Sequence, residues 1–298
     1  MRVFRSDCFQ FPLPRGHTFQ LEKYSLLRRR VVESGLIAPD NLIVSPAASG
    51  EELERVHHPQ YVRRVKGGGL APHEIRRIGL PWSTELVERS GRSCGGTIAA
   101  CRAALADGCS VNLAGGTHHA SAGWGAGYCV WNDCAVAARA MQAEGLARLI
   151  VIIDCDVHQG DGTAAIFACD RTVTTFSIHA AKNYPIHKEK SDLDIALQDR
   201  AGDAVYLGAL EEGLRRVLSM TSADLAVYLA GADPYLDDRL GRLSLTKTGL
   251  RQRDRLVLRC CRDAGIPVAI TMAGGYARQL HDTVDIHFQT LSSACEPH

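Results

Sequence analysis

Three carboxylates and an imidazole follow directly on an apolar run in Val151-Ile152-Ile153-Asp154-Cys155-Asp156-Val157-His158-Gln159-Gly160-Asp161-Gly162. Side chains on a strand alternate faces, so Asp154, Asp156 and His158 share one side until the strand unwinds. Carboxylates and a neutral imidazole gathered at one strand end form most of a divalent metal site. The plainer reading has these charges merely capping a strand, with Gly160 and Gly162 as turn residues. It leaves several ionisable groups beside a buried run with nothing to offset their desolvation.

Other polar clusters are placed in the same way. Gly115-Gly116-Thr117-His118-His119-Ala120 sets two adjacent histidines after two glycines, and imidazoles oriented by carboxylates suit general acid–base work. Gly231-Ala232-Asp233-Pro234 adds a further carboxylate, enough to complete an Asp–His–Asp ligand set. Two oxygens and one nitrogen suit zinc or ferrous iron and leave positions for water and a substrate carbonyl. Gly274-Gly275-Tyr276 puts a phenol on a flexible turn, either as packing or as a donor to a developing oxyanion. By contrast, His57-His58 before Pro59 lacks a strand-end context and reads as structural, and Asp237-Asp238 reads as a solvated loop pair.

The elements that must position these groups alternate along the chain. Helical patterns span Gly91–Ala106, Asp133–Glu144, Thr163–Phe167, Asp203–Met220 and Thr246–Asp263. Strand patterns span Ser110–Leu113, Leu149–Ile153, Thr172–Ile178, Asp224–Ala230 and Pro267–Met272. This alternation predicts an α/β fold in a single domain over residues 1–298, with a central, mainly parallel sheet and helices on both faces. Ligands of such sheets bind beyond the carboxyl ends of the strands. The clusters Gly115–His119, Asp154–His158, Ser177–His179, Gly231–Asp233 and Gly274–Tyr276 each follow a predicted strand, so they converge on one rim. Lys182–Asp194 reads as a long loop over that rim, and Gly67-Gly68-Gly69 as a flexible surface loop.

A formal net charge of +1 gives no global field to favour nucleic acid or an anionic membrane, and neither is expected as a partner. The eleven cysteines show neither a disulfide framework nor a zinc ribbon. Cys94, Cys101, Cys129, Cys134, Cys155 and Cys169 sit in apolar or motif segments, as reduced core thiols do. With no signal peptide and no apolar run near 18 residues, a reducing cytoplasm is the expected location.

The segments Arg55–Val62, Gly115–Ala120, Gly127–Asp133, Asp154–Gly162, Ser177–His179, Gly231–Asp233 and Gly274–Tyr276 together resemble the histone deacetylase superfamily, zinc-dependent deacylases on the arginase/deacetylase fold. Gln159 stands where many members carry a second histidine and is similar to class IV and bacterial members. The resemblance implies that Asp156, His158 and Asp233 are zinc ligands, with ferrous iron a possible native ion. It implies that His118 and His119 are the tandem histidines, with Asp154 and Asp161 as their respective carboxylate partners. Tyr276 matches the tyrosine that polarises the acyl carbonyl. Gly127 matches the residue whose carbonyl accepts the substrate amide hydrogen, and Tyr128 and Tyr184 match the walls of the acyl-lysine tunnel. Asp154 and Ser177 match side chains around a structural potassium ion. Neither His73 nor Glu74 matches the rim aspartate that many deacetylases use to hold a peptide, and Gly16-His17-Thr18-Phe19 lacks the proline that often follows its histidine.

The implied activity is hydrolysis of acetyl or longer acyl groups from lysine side chains, with an acyl-lysine protein or peptide as partner. The alternatives are an acetylpolyamine or other small acylated amine as substrate, a long-chain acyl group, and a non-catalytic acyl-lysine binding module. The last predicts loss of a ligand, of His119 or of Tyr276, and all are present. A two-metal ureohydrolase needs more bridging carboxylates than these motifs offer. A cysteine nucleophile at Cys155 would point away from the site, because it alternates with Asp154 and Asp156.

Overall fold

The computed structural model describes residues 1–296. In chain order the elements are β1 (Val3–Arg5), α1 (Glu22–Ser34), β2 (Leu42–Val44), α2 (Gly50–Glu54), α3 (Pro59–Lys66), α4 (Pro72–Ile78), α5 (Thr84–Asp107) and β3 (Cys109–Asn112). They continue with α6 (Asp133–Ala143), β4 (Ile150–Asp154), α7 (Asp161–Phe167), β5 (Val173–Ala180), β6 (Leu193–Leu197), α8 (Asp203–Ser219), β7 (Leu225–Leu229), α9 (Lys247–Asp263), β8 (Val268–Thr271) and α10 (Leu280–Cys295). The strands form one sheet of order β2-β1-β3-β8-β7-β4-β5-β6, and every pairing is parallel.

Why the central strands read as unbroken apolar runs is visible in their packing. Every residue of β4 and β7 is buried, as both faces of a parallel sheet are covered. Val151 and Ile153 face a layer that includes Leu27 and Val31 of α1, Leu210 and Leu214 of α8, and Leu250 and Val257 of α9. Ile150 and Ile152 face the opposite layer, with Ile98 of α5 and Val136 and Met141 of α6. The strand period of two thus sorts one apolar run into two cores.

The helices begin where short polar side chains can take orphan amides. Asn132 accepts from Ala135 N at 3.0 Å to start α6, and Thr246 accepts from Gly249 N at 3.0 Å to start α9. Two boundaries differ from expectation in ways that matter. The helix expected over Gly91–Ala106 starts earlier, at Thr84, because Ser83 caps it through Leu86 N. The loop expected over Lys182–Asp194 ends in an unforeseen edge strand, β6. No helix among the described residues is long and apolar enough to cross a membrane.

Candidate active site and metal centre

The carboxyl ends of β3, β4, β7 and β8 carry the expected clusters to one rim, where they line a cavity of about 630 Å³. Ser177–His179 departs from expectation. It lies inside β5 rather than beyond it, in register with β4, so that Ser177 pairs with Asp154 across the sheet.

Asp156, His158 and Asp233 meet at the floor of the cavity, all buried, with one ligand atom from each within 4.8 Å of the others. Backbone amides hold the two carboxylates. Asp156 Oδ1 accepts from His158 N at 2.9 Å and its Oδ2 from Gly274 N at 2.8 Å, while Asp233 Oδ1 accepts from Val157 N at 3.0 Å. The loops after β4, β7 and β8 are thereby stitched together around the trio. Gly274 must be glycine, since a Cβ there would collide with the carboxylates of Asp233 and Asp156.

This donor set fits a divalent cation. Asp233 Oδ2 is buried without a well-formed hydrogen bond, its one near neighbour, His158 Nδ1, lying 3.4 Å away and closer to Asp156 Oδ1 at 2.9 Å, a costly state for a carboxylate oxygen unless a cation satisfies it. Burial and the charge of Asp156 push the Asp233 carboxyl up to about 7. Burial opposes charge on His158, yet its contacts with Asp156 and Asp233 raise it to about 10. The trio as it stands demands positive charge among its atoms. Two carboxylate oxygens and an imidazole nitrogen are donors that zinc or ferrous iron accepts.

Beside the trio stand the tandem histidines, their rings 4.2 Å apart. His118 Nδ1 lies 2.7 Å from Asp154 Oδ2, and His119 Nδ1 lies 2.6 Å from Asp161 Oδ1. Each Nδ1 is committed to a carboxylate as a donor, which in a neutral ring puts the lone pair on Nε2; His118 Nε2 lies 3.8 Å from Asp156 Oδ1. The two environments push the rings apart in basicity. Burial works against charge on His118, but Asp154 and Asp156 lift it to about 9. Burial and the neighbouring His118 lower His119 to about 4.

The walls come from three loops. Tyr184 crosses His119 edge-on at 4.8 Å between centroids, and Tyr128 lies 5.8 Å from Tyr276. Gly127 sits at φ +53°, and a Cβ there would strike His119 and crowd Tyr184, so this position requires glycine. Tyr276 is buried, and burial raises its phenol well above the ordinary value, keeping the O–H as a donor. His17 donates to the Gly79 carbonyl at 3.0 Å and accepts from Phe19 N, so the first rim loop is held without the proline absent from it.

Three residues of this neighbourhood were not foreseen. Asp238, expected to be solvated, is buried and accepts from Tyr276 N at 2.6 Å, from Leu240 N at 2.8 Å and from Gly241 N at 3.0 Å. A turn whose amides need an acceptor has drawn the carboxylate inward; its neighbour Asp237 remains at the surface against Arg278. Lys23 of α1 is buried, donates to the Gly275 carbonyl at 3.1 Å, and sits 4.8 Å from the Tyr276 ring centre. Arg253 of α9 is wholly buried, pairs with Asp254 at 2.8 Å, and donates to the carbonyls of Gly231 and Cys155, which flank the trio. One helical lysine or arginine among many carries no sequence signal that it is buried.

The remaining expected positions make these contacts. Ser177 Oγ pairs with His179 Nδ1 at 2.9 Å, and Asp154 Oδ1 accepts from Asp156 N at 3.1 Å. His57 is structural, its ring bridging Ser121 O and Asn132 N. Glu74 is buried against Arg64 and Ala71 N and lines no rim. Gln159 fixes the long loop through Glu189 and Asp194. Cys155 lies in the apolar core, and burial lifts its thiol to about 12, which rules against a nucleophile there. Cys169, expected in the core, is exposed; it follows the end of α7 rather than an apolar strand.

The sheet and its rim have the arginase/deacetylase fold. A deacetylase homologue of known structure from Aquifex aeolicus superposes with a TM-score of 0.86 at 22% identity, over 98% of this chain and 83% of that one. Residues 17–291 match the histone deacetylase domain. An uncharacterized protein of a Picosynechococcus species is 47% identical over 285 residues, which span 96% of this chain and 95% of that protein. Histone deacetylase 2 of Arabidopsis thaliana is 26% identical, over 90% of this chain and 73% of its own length. The chain belongs to the histone deacetylase family.

Proposed function

We propose that the protein, acting as one catalytic domain, is a zinc-dependent amidohydrolase that removes acetyl or longer acyl groups from lysine side chains. The observation that carries this reading is the buried Asp156–His158–Asp233 trio beside two imidazoles whose Nδ1 atoms are each engaged by a carboxylate. Zinc held by the trio would supply Lewis-acid polarisation of an acyl oxygen and acidify a water.

The chain's own groups do the rest. His119 Nε2 takes a proton from the attacking water and returns one to the departing amine, while Asp161 keeps the ring in the tautomer that allows it. His118, tied to Asp154, contributes electrostatically. The Tyr276 hydroxyl donates to the acyl oxygen as negative charge builds. Tyr128 and Tyr184 hold an alkyl stem, and the Gly127 carbonyl accepts the substrate amide hydrogen. Asp154 and Ser177, paired in register, would hold a structural potassium ion. A panel of acetyl-lysine peptide, acetylpolyamine and longer acyl-lysines, with and without a chelator, tests the reading. Chelator-sensitive hydrolysis of an acyl-lysine supports it, and zinc-loaded protein inert to the whole panel overturns it.

A further inference from the structure

We propose that the cavity mouth selects an acyl-amine whose amine half carries carboxylates, above all an acyl-lysine set among acidic residues, and rejects acylated polyamines. The inference rests on the amidohydrolase reading, which turns the amine half of the substrate toward the mouth.

The carboxylates and the exposed cations lining the cavity are divided by depth, with one buried cation, Arg89, also in the lining. The cavity's only carboxylates among the described residues are Asp156 and Asp233, at the floor and already engaged there. The exposed charged residues of the lining are all cations: Arg77 at the end of α4, Lys182 after β5, and Arg239 and Arg242 after β7. They reach the cavity from three separate segments. Arg242 is neutralised by Asp199 at 2.6 Å. Arg77, Lys182 and Arg239 have no carboxylate partner within 4.0 Å among the described residues; the nearby Asp237 is taken by Arg278.

Two of these heads are also held in place. The Arg77 guanidinium lies over the Trp124 ring at 5.8 Å, and Arg239 donates to the Arg278 carbonyl at 3.3 Å. Formal net charge over the chain is only +1, so this concentration is local and not part of a generally basic surface. Single exposed charges contribute little, but like charges around a cleft with low-dielectric walls focus the field on what enters. A polyamine would bring its ammonium groups against these cations, whereas acidic flanks would complement them.

The carboxylates could come from side chains flanking the lysine in a protein or from the α-carboxylate of free acyl-lysine, and the test separates them. Zinc-loaded protein is given acetyl-lysine peptides with Asp/Glu or with Lys/Arg flanks, free acetyl-lysine, and a monoacetylated polyamine. Both kcat/KM and binding by fluorescence polarisation are read at low and high salt. The acidic-flank peptide should be preferred over the basic one by roughly tenfold at low salt, the scale of a few rim charges acting together, and salt should erode that preference. The triple variant Arg77→Glu/Lys182→Glu/Arg239→Glu should invert it, while Arg216→Glu, on α8, should not. Free acetyl-lysine outperforming both peptides would assign these cations to a small acid rather than a protein segment and overturn that choice. Equal use of acidic and basic peptides, or preference for the polyamine, overturns the proposal while leaving the hydrolase reading intact. If no substrate is turned over, the hydrolase reading fails, and charge-blind binding would then overturn this one as well.

Discussion

The carboxylate of Asp238 accepts a hydrogen bond from the backbone nitrogen of Tyr276 at 2.6 Å, joining the loop after β7 to the loop after β8. The phenol assigned to the acyl oxygen therefore has its main chain fixed by a residue outside the cavity lining. Asp238→Ala should lower turnover about tenfold, as expected when a donor shifts by a fraction of an ångström. Tyr276→Phe should lose about a hundredfold with an unactivated acyl-lysine, the scale of one oxyanion donor. If Asp238 acts through the phenol, the double variant is little worse than Tyr276→Phe alone; independent losses in kcat would refute that link.

How legible all this is in the sequence follows from where the information sits. Asp154–Asp161, His118-His119, Asp233 and Tyr276 announce themselves because ionisable groups follow apolar runs, and parallel strands deliver their ends to one edge. The strands β1 and β2, each only Val3–Arg5 and Leu42–Val44, are too short to show a period. The capping box at Ser49 and Glu52 is readable as S-x-x-E, yet the helix it starts is short. Asp238, Lys23 and Arg253 owe their roles to loops and helices distant in sequence, which no local pattern encodes.

The tandem histidines should separate on mutation. His119→Ala should lose about a hundredfold to ten-thousandfold in kcat, the scale of a general acid–base group, while still binding substrate. His118→Ala should lose less, since Asp154 and Asp156 favour a charged His118 ring and its role is electrostatic rather than proton transfer. Steady-state kinetics with both variants tests this, and equal small losses would make the pair structural.

The Arg253–Asp254 pair is wholly buried, with Tyr228 and Thr290 donating to the aspartate at 2.6 and 2.7 Å. Arg253→Met leaves a buried carboxylate without its counter-ion and should cost about 3–5 kcal/mol by denaturant unfolding. Arg253→Met with Asp254→Leu removes both charges and should recover part of that loss. A double variant less stable than the single would contradict this account.

His57, outside the cavity lining, gives the fold an acid-sensitive limb. Burial lowers its ring to about 4, and the bonds to Ser121 O and Asn132 N fit only the neutral form. The unfolded chain binds a proton below about 6.5 that the folded chain refuses until about 4, so stability falls as pH drops through that window. The loss attributable to this one ring is roughly 3 kcal/mol. Urea midpoints between pH 7 and pH 4 should fall more steeply for the native protein than for His57→Gln. Parallel slopes would show that the ring charges in place.

The central claim is that Asp156, His158 and Asp233 hold the ion on which hydrolysis depends, and Asp233→Ala tests it most directly. Zinc content and acyl-lysine hydrolysis should be measured side by side on the native protein and the variant, after chelation and zinc return. The account predicts one zinc per native chain, activity lost on chelation and restored by zinc, and a variant that neither retains the ion nor regains activity. A variant with native zinc content and native rate would contradict it.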